Sequence, residues 1–168
     1  SQEILKQTDN QIDAFICSVG TGGTLAGTAE GLKNSNKKIV TALSDPKGSS
    51  LFNFVKNNEL SSEGSSITEG IGTSRITENF KGSLVDDAFQ IDDQYALDVV
   101  FDLLINEGLS LGTSSGINVA GAIELGKKIG QGKNIVTILC DYGSRYASKL
   151  YNRKFLETKG LKVPDWIK

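Results

Sequence analysis

The chain has 168 residues, with 18 Lys and Arg against 20 Asp and Glu, a formal net charge of −2 and no histidine. This length supports one domain with a substantial core, and the even charge balance offers no basic surplus for nucleic acid. The lack of histidine excludes Ser-His-Asp triads, Cys-His pairs and His-based metal sites within the chain, and no apolar stretch is long enough to be read as a membrane span.

Residues 2–7 read as a helix that starts at Ser1 without a Met, the pattern of a truncated or processed chain. Residues 13–19 read as the first strand, and the largely apolar run from Ala14 to Val19 is that expected of a strand buried on both faces in a parallel sheet. The next stretch, Val19-Gly20-Thr21-Gly22-Gly23-Thr24-Leu25-Ala26-Gly27, turns that strand into a helix that ends near 34–36. Glycines there allow positive φ and a close approach of backbone to a ligand. The helix start adds free N–H groups and the positive end of a dipole. The expected result is a cup for a dianionic phosphate, with the Thr21 and Thr24 hydroxyls able to donate to the same oxygens. No Lys follows the glycines, so the ATP-type phosphate loop is excluded. Leu25 occupies the last glycine position of the dinucleotide fingerprint, but Asp45 ends the next strand, so nucleotide binding stays open beside a ligand-free turn.

Residues 38–43 read as the second strand, closed by residues 44–48, and Ser49-Ser50 as the cap of a helix over 51–57. This rhythm predicts an α/β fold with right-handed crossovers. Residues 58–83 break it, and so long a connection is either functional or a surface excursion. Within it, Gly70-Ile71-Gly72 would let backbone lie flat against a ring. Residues 86–91 read as a strand, and Asp92-Asp93 as the cap of a helix reaching 106. Ala96, Val99, Val100, Leu103 and Leu104 form its core stripe, and Gly108 stops it. Leu111-Gly112-Thr113-Ser114-Ser115-Gly116 opens a helix over 117–129, with Ser114 and Ser115 placed to cap it. Residues 134–140 are a third clear strand. Asp141 and Arg145 follow at its carboxyl end, as an ion pair or caps. Cys17 and Cys140 both lie in apolar runs and are expected to be reduced and buried. The tail, 149–168, carries Tyr151, Phe155, Leu156, Leu161 and Trp166, and is expected to pack on the domain or across a dimer.

The order strand, Gly20-Thr21-Gly22-Gly23-Thr24, helix resembles the phosphate loop of fold-type II pyridoxal 5'-phosphate (PLP) enzymes, in particular the cysteine synthase and cystathionine β-synthase family. The resemblance continues through Glu69 to Gly72, Glu107 to Gly116 and Asn134 to Tyr146. It implies an open, mostly parallel three-layer αβα sheet. Residues 1–168 would be the C-terminal, PLP-phosphate-binding α/β domain of a longer enzyme. The lysine that holds PLP and the asparagine loop that grips the substrate carboxylate would belong to an N-terminal domain absent here. No lysine of this chain matches that motif, Lys33, Lys47 and Lys149 included, so no catalytic residue is assigned.

By the same resemblance, Gly20, Thr21, Gly22, Gly23 and Thr24 hold the phosphate. Ser114 meets the pyridine nitrogen, and Gly70, Ile71 and Gly72 line the substrate side. A hydroxyl at the ring nitrogen makes a weaker electron sink than a carboxylate would, which suits β-elimination and replacement more than transamination. The implied reaction converts O-acetylserine, or serine, and sulfide to cysteine. Cystathionine β-synthase is the neighbouring activity, and a non-catalytic phosphate- or nucleotide-binding module the other alternative. Implied partners are a second copy in a homodimer, a complementary N-terminal half and the C-terminal tail of serine acetyltransferase. No nucleic acid or membrane is implied, and the implied location is the cytoplasm. The whole reading requires the helix mouths at Thr21 and Ser114 to open on one side of the sheet.

Overall fold

The computed structural model describes residues 1–168. In chain order the elements are α1 (Gln2–Gln7), β1 (Ala14–Cys17), α2 (Gly23–Ser35), β2 (Val40–Pro46) and α3 (Leu51–Asn57). They continue with β3 (Asp87–Ile91), α4 (Asp93–Glu107), α5 (Thr113–Ile129), β4 (Ile135–Val136), α6 (Ala147–Leu150) and α7 (Arg153–Thr158). The strands form one parallel sheet in the order β3-β2-β1-β4.

Period-two alternation along β1 sorts its side chains between two cores. Phe15 and Cys17 join Leu25 and Leu32 of α2 and Leu51 of α3, with α1 packed behind through Ile4 and Leu5. Ala14 and Ile16 face the other way, onto Leu125 of α5. The result is three layers, with α1 to α3 on one face and α5 on the other. α4 covers α5 through Ala96 and Val99, which pack with Ile117 and Ala120. α4 is buried on more than the single expected stripe, because Leu97 and Phe101 join Val100 in meeting the chain's tail. The tail folds onto its own domain: Leu150, Leu156 and Ile167 join that cluster, and Trp166 meets Phe101 edge-on at 5.4 Å.

α5 sits unusually close to its neighbours, and glycines permit it. A Cβ on Gly116 would collide with the Ala96 carbonyl oxygen, and one on Gly121 with Ser44 Oγ. Ser44 uses that proximity to donate to Ile117 O at 2.6 Å. At the outer edge, Asp87 of β3 takes Lys56 from α3 and Lys128 from α5, the latter at 2.5 Å. Burial pushes the Asp87 carboxyl up, but the hydrogen bonds from Lys128 and Lys56 outweigh it and hold it below the usual range.

Some boundaries differ from those expected. β2 runs on to Pro46, which brings Asp45 inside the strand. α3 has the predicted span, and of the expected pair Ser49 accepts the Leu51 N–H on Oγ at 3.4 Å while Ser50 makes no side-chain cap; Asp45 Oδ2 accepts the next N–H, from Phe52, at 2.8 Å. β4 shrinks to two residues. Beyond it the chain stays alongside, but side chains take over the bonding. Thr137 Oγ1 donates to Ile16 O at 2.7 Å, Asn118 Nδ2 donates to Ile138 O at 2.8 Å, and Cys140 N–H donates to Ser115 Oγ at 2.8 Å. Leaving the ladder exposes Cys140, contrary to the burial expected from its apolar run; Cys17 is buried as expected, and both are free thiols.

The close approach of α5 sets an expected stability contrast. Gly116→Ala is expected to cost about 1–3 kcal/mol in urea unfolding, because a backbone carbonyl stands in the way. Gly27→Ala, where a Cβ meets nothing within 4 Å, is expected to gain up to about 1 kcal/mol from helix propensity.

Candidate functional site

At Val19 the chain leaves the sheet and turns into α2. Gly22 occupies the N-cap position with φ 90° and ψ −12°, a left-handed conformation that favours glycine. Gly23 and Thr24 are therefore the first residues of the helix rather than part of the turn. No side chain caps α2, so its first-turn N–H groups are left open at the end that carries the positive dipole. Thr21, Gly23 and Thr24 are exposed beside them.

Gly70-Ile71-Gly72 lies directly against this turn. Gly72 N–H donates to Val19 O at 2.9 Å, and a Cβ on Gly20 would run into the Gly70 carbonyl. Thr77 Oγ1 donates to Thr21 O at 2.7 Å. Stretch 58–83 has no helix or strand, yet it is pinned along its length. Ile67 N–H donates to Asp93 Oδ2 at 2.8 Å, and Ser49 Oγ accepts from Thr73 N–H at 3.0 Å. Lys149 of α6 pairs with Glu69. Between the turn and this stretch is a cavity of about 440 Å³ with no hydrophobic side chain in its wall, lined by Gly20, Thr21, Gly70, Gly72, Thr77 and Asn79 among others.

The second mouth begins at Gly112, the N-cap of α5, which has extended backbone. Thr113, Ser114 and Ser115 are first-turn residues, so the two serines do not cap the helix as expected. Ser115 instead accepts the Cys140 N–H. Ser114 is 5 % exposed at the mouth. The 141–146 segment fixes this end: Gly112 N–H donates to Asp141 O at 2.8 Å and Gly143 N–H to Ser110 O at 3.0 Å. Asp141 and Arg145 form the expected ion pair, at 3.5 Å. Tyr146 donates its hydroxyl to Asp141 Oδ2 at 2.6 Å, and that bond, helped by burial, raises the Tyr146 pKa above the ordinary phenol value.

Both mouths stand at the carboxyl edge of the sheet. The crossover after β1 uses α2 on one face, and the one before β4 uses α5 on the other. β1 and β4 therefore flank a switch point, where open α/β sheets place their ligands. Two contacts tie the mouths together. Ile71 packs into the cluster containing Ile117 of α5. Asn118, 1 % exposed, accepts Ser18 N–H on Oδ1 at 2.7 Å and donates to Ile138 O from Nδ2. Sequence reasoning passed over Asn118; the available signal was an amide on the buried side of a helix, one turn inside its start.

Asp45, the acid that kept nucleotide binding open, does not face a ligand. It is fully buried beneath α3, and its Oδ1 has no hydrogen-bond partner. Burial pushes its pKa up to about 6 against the bonds from Ser49 and the Phe52 N–H. A carboxylate sealed under a helix cannot reach a ribose hydroxyl, so the dinucleotide reading loses its second feature.

Comparison with known proteins places the chain in a family. The family model described as "Pyridoxal-phosphate dependent enzyme" matches residues 1–141. The chain is 46% identical over 164 residues to cysteine synthase 1 of Neurospora crassa, covering 95% of this chain and 44% of that protein. It is 43% identical over 165 residues to cysteine synthase 1 of Emericella nidulans, covering 95% of this chain and 45% of that protein. Among solved structures, the O-acetylserine dependent cystathionine beta-synthase from Helicobacter pylori superposes with a TM-score of 0.78 at 29% identity, over 88% of this chain and 46% of that one. The chain thus spans less than half the length of these relatives. No helix is long and apolar enough to cross a membrane.

Two measurements check the local environments. Asp45 holds its proton in the folded state up to about pH 6 but releases it near pH 4 when unfolded, so folding takes up a proton in that window. Stability is therefore expected to fall by about 2–3 kcal/mol as pH rises from 4 to 6, and Asp45→Asn to flatten that slope in urea titrations. For the thiols, a labelling reagent is expected to modify Cys140 alone in the native protein. Cys17, whose pKa burial pushes up to about 12 with Cys140 adding to the effect, should react only after unfolding.

Proposed function

The chain belongs to the family of pyridoxal-phosphate dependent enzymes, and on that premise we propose that it is the cofactor-holding C-terminal part of a cysteine synthase. The observation that carries the reading is the pair of helix mouths, at Thr21 and at Ser114, opening at one switch point and tied together by Asn118 and Ile71.

The residues present fit PLP. An uncapped helix start with a left-handed glycine before it offers N–H groups to a dianion, and the adjoining cavity has no hydrophobic side chain in its wall. Gly20, Thr21, Gly22, Gly23 and Thr24 would hold the phosphate. Ser114 would give a neutral hydrogen bond to the pyridine nitrogen. Gly70, Ile71 and Gly72 would form the substrate-side wall, where the glycines keep Cβ atoms out of the way. Bound PLP supplies an electron-poor ring that withdraws charge from the substrate's α-carbon. With a hydroxyl rather than a carboxylate at the ring nitrogen, that withdrawal suits β-replacement.

Two of the three lysines considered for the Schiff base are engaged elsewhere. Lys33 is committed to Asp86 at 2.7 Å and to Ile39 O at 3.0 Å, and Lys149 to Glu69. The PLP-linked lysine, the proton transfer it performs and the substrate-carboxylate loop are assigned to polypeptide outside these 168 residues. The substrates of the intact enzyme would be O-acetylserine, or serine, and sulfide. A cystathionine β-synthase is the second reading, favoured by the Helicobacter pylori neighbour; it keeps the β-replacement and changes the thiol. A homodimer, with a serine acetyltransferase tail entering the same cleft, completes the reading. The two unpaired cysteines suit a reducing compartment such as the cytoplasm.

The test is spectroscopic. The chain is mixed with PLP, alone and with a complementary N-terminal half of a cysteine synthase. The visible band of lysine-linked PLP is expected only with both halves, and Gly22→Ala, which forces a Cβ to 2.9 Å from Phe80 Cβ at φ 90°, is expected to weaken PLP at least about tenfold. Thermal stabilisation by NAD or AMP but not by PLP would overturn the assignment.

A further inference from the structure

The parallel ladder between β1 and β4 covers only Ala14↔Ile135 and Phe15↔Val136. Past that point the backbone ladder stops, leaving a gap between the strands that side chains enter. Two side chains fill it. Thr137 reaches Ile16 O, at the base of the gap. Asn118 sits further along, bonded on one side to Ser18 N–H and on the other to Ile138 O.

Each of those bonds ends beside a mouth. Ser18 immediately precedes the Val19-to-Gly22 turn. Ile138 is two residues before Cys140, whose N–H is held by Ser115, the neighbour of Ser114. Asn118 itself is carried on a helix whose depth is fixed by the Ser44 bond to Ile117 O at 2.6 Å. A primary amide is the short side chain that accepts at one end and donates at the other. A carboxylate only accepts, and a hydroxyl of similar reach has one atom for both bonds. The amide itself is 1 % exposed, so its two ends are held by these partners and not by bulk solvent.

We propose that Asn118 is a positioning residue: its amide, wedged between the diverging ends of β1 and β4, sets the distance between the phosphate mouth and the ring-nitrogen mouth, so that both ends of one PLP molecule are gripped at once. This rests on the proposed function and adds to it a residue that touches neither cofactor nor substrate. It acts through the backbone at Ser18 and Ile138. Its loss therefore falls on the cofactor's phosphate end relative to its ring, rather than on folding alone.

The experiment is equilibrium dialysis of PLP and of pyridoxal, which lacks the phosphate, against the 168-residue chain well below its melting temperature. Asn118→Leu keeps the volume and removes both backbone bonds, together with the 3.5 Å contact from Nδ2 to Cys140 Sγ; Asn118→Thr is a milder variant that shortens the reach. Thr137→Val removes the bond at the base of the gap and serves as the control for a purely structural loss. The unchanged chain is expected to prefer PLP over pyridoxal. Asn118→Leu and Asn118→Thr are expected to reduce that preference at least tenfold, and Thr137→Val to leave it within twofold even with a matched drop in melting temperature. The proposal is overturned if a folded Asn118 variant keeps the full preference, or if Thr137→Val lowers it equally. If the unchanged chain does not distinguish PLP from pyridoxal, the proposed function fails and this inference falls with it.

Discussion

β1 is the strand through which the rest of the site is arranged, and the constraint on it is geometric. It must pair with β2 on one side and β4 on the other while its crossover leaves on the opposite face from the one that leads into β4. A right-handed connection on each face forces the strands flanking the switch point to part at their carboxyl ends. The backbone groups left unpaired there are largely shielded from solvent, so partners stabilise them. Thr137 and Asn118 provide them. The parting of the strands follows from sheet connectivity, and these side chains satisfy the backbone it frees.

The close seating of α5 is the energetic counterpart. Gly116 and Gly121 remove the Cβ atoms that would hold the helix off Ala96 and Ser44. Dispersion contacts between closely approaching backbones, together with one buried hydroxyl bond, then hold the start of α5 over the ends of β1 and β4. The second mouth is thereby rigid without a side-chain cap. Asp45 shows the opposite balance: a carboxylate with one oxygen bonded and one orphaned under α3 is a standing cost. Its bond to Phe52 N–H offsets part of that cost by ordering the helix beneath the Gly72 to Thr73 wall.

Much of this was readable from residue order. The turn at Gly20 to Thr24, the span of α3, the Asp92 cap and the Gly108 stop all depend on local chemistry, and local chemistry is what a sequence displays. The Asp92 carboxylate accepts Tyr95 N–H at 2.9 Å, and Gly108 takes the left-handed conformation at φ 69°. What did not show was decided at long range. The strand predicted over 134–140 was cut to Ile135–Val136 because its later bonds go to residues on α5 and to the Ile16 carbonyl. Cys140 was expected inside because its neighbours are apolar, yet apolar neighbours do not reveal that the ladder has already ended. Ser114 and Ser115 looked like caps because they precede an apolar run, but Gly112 starts the helix earlier. Asn118 was invisible for a related reason, since its partners lie 100 and 20 residues away in sequence.

The ion pairs around Asp87 have a consequence for how copies of this protein meet in solution. A sheet edge is a template on which any extended polypeptide can continue the ladder. At β3 that edge is straddled by two ammonium groups, brought from helices on opposite faces and anchored to one carboxylate. An incoming strand would have to strip water from both before gaining its first backbone bond. Within these 168 residues the clamp therefore sets two solvated charges along the β3 rim, which disfavours edge-to-edge pairing with a second strand there.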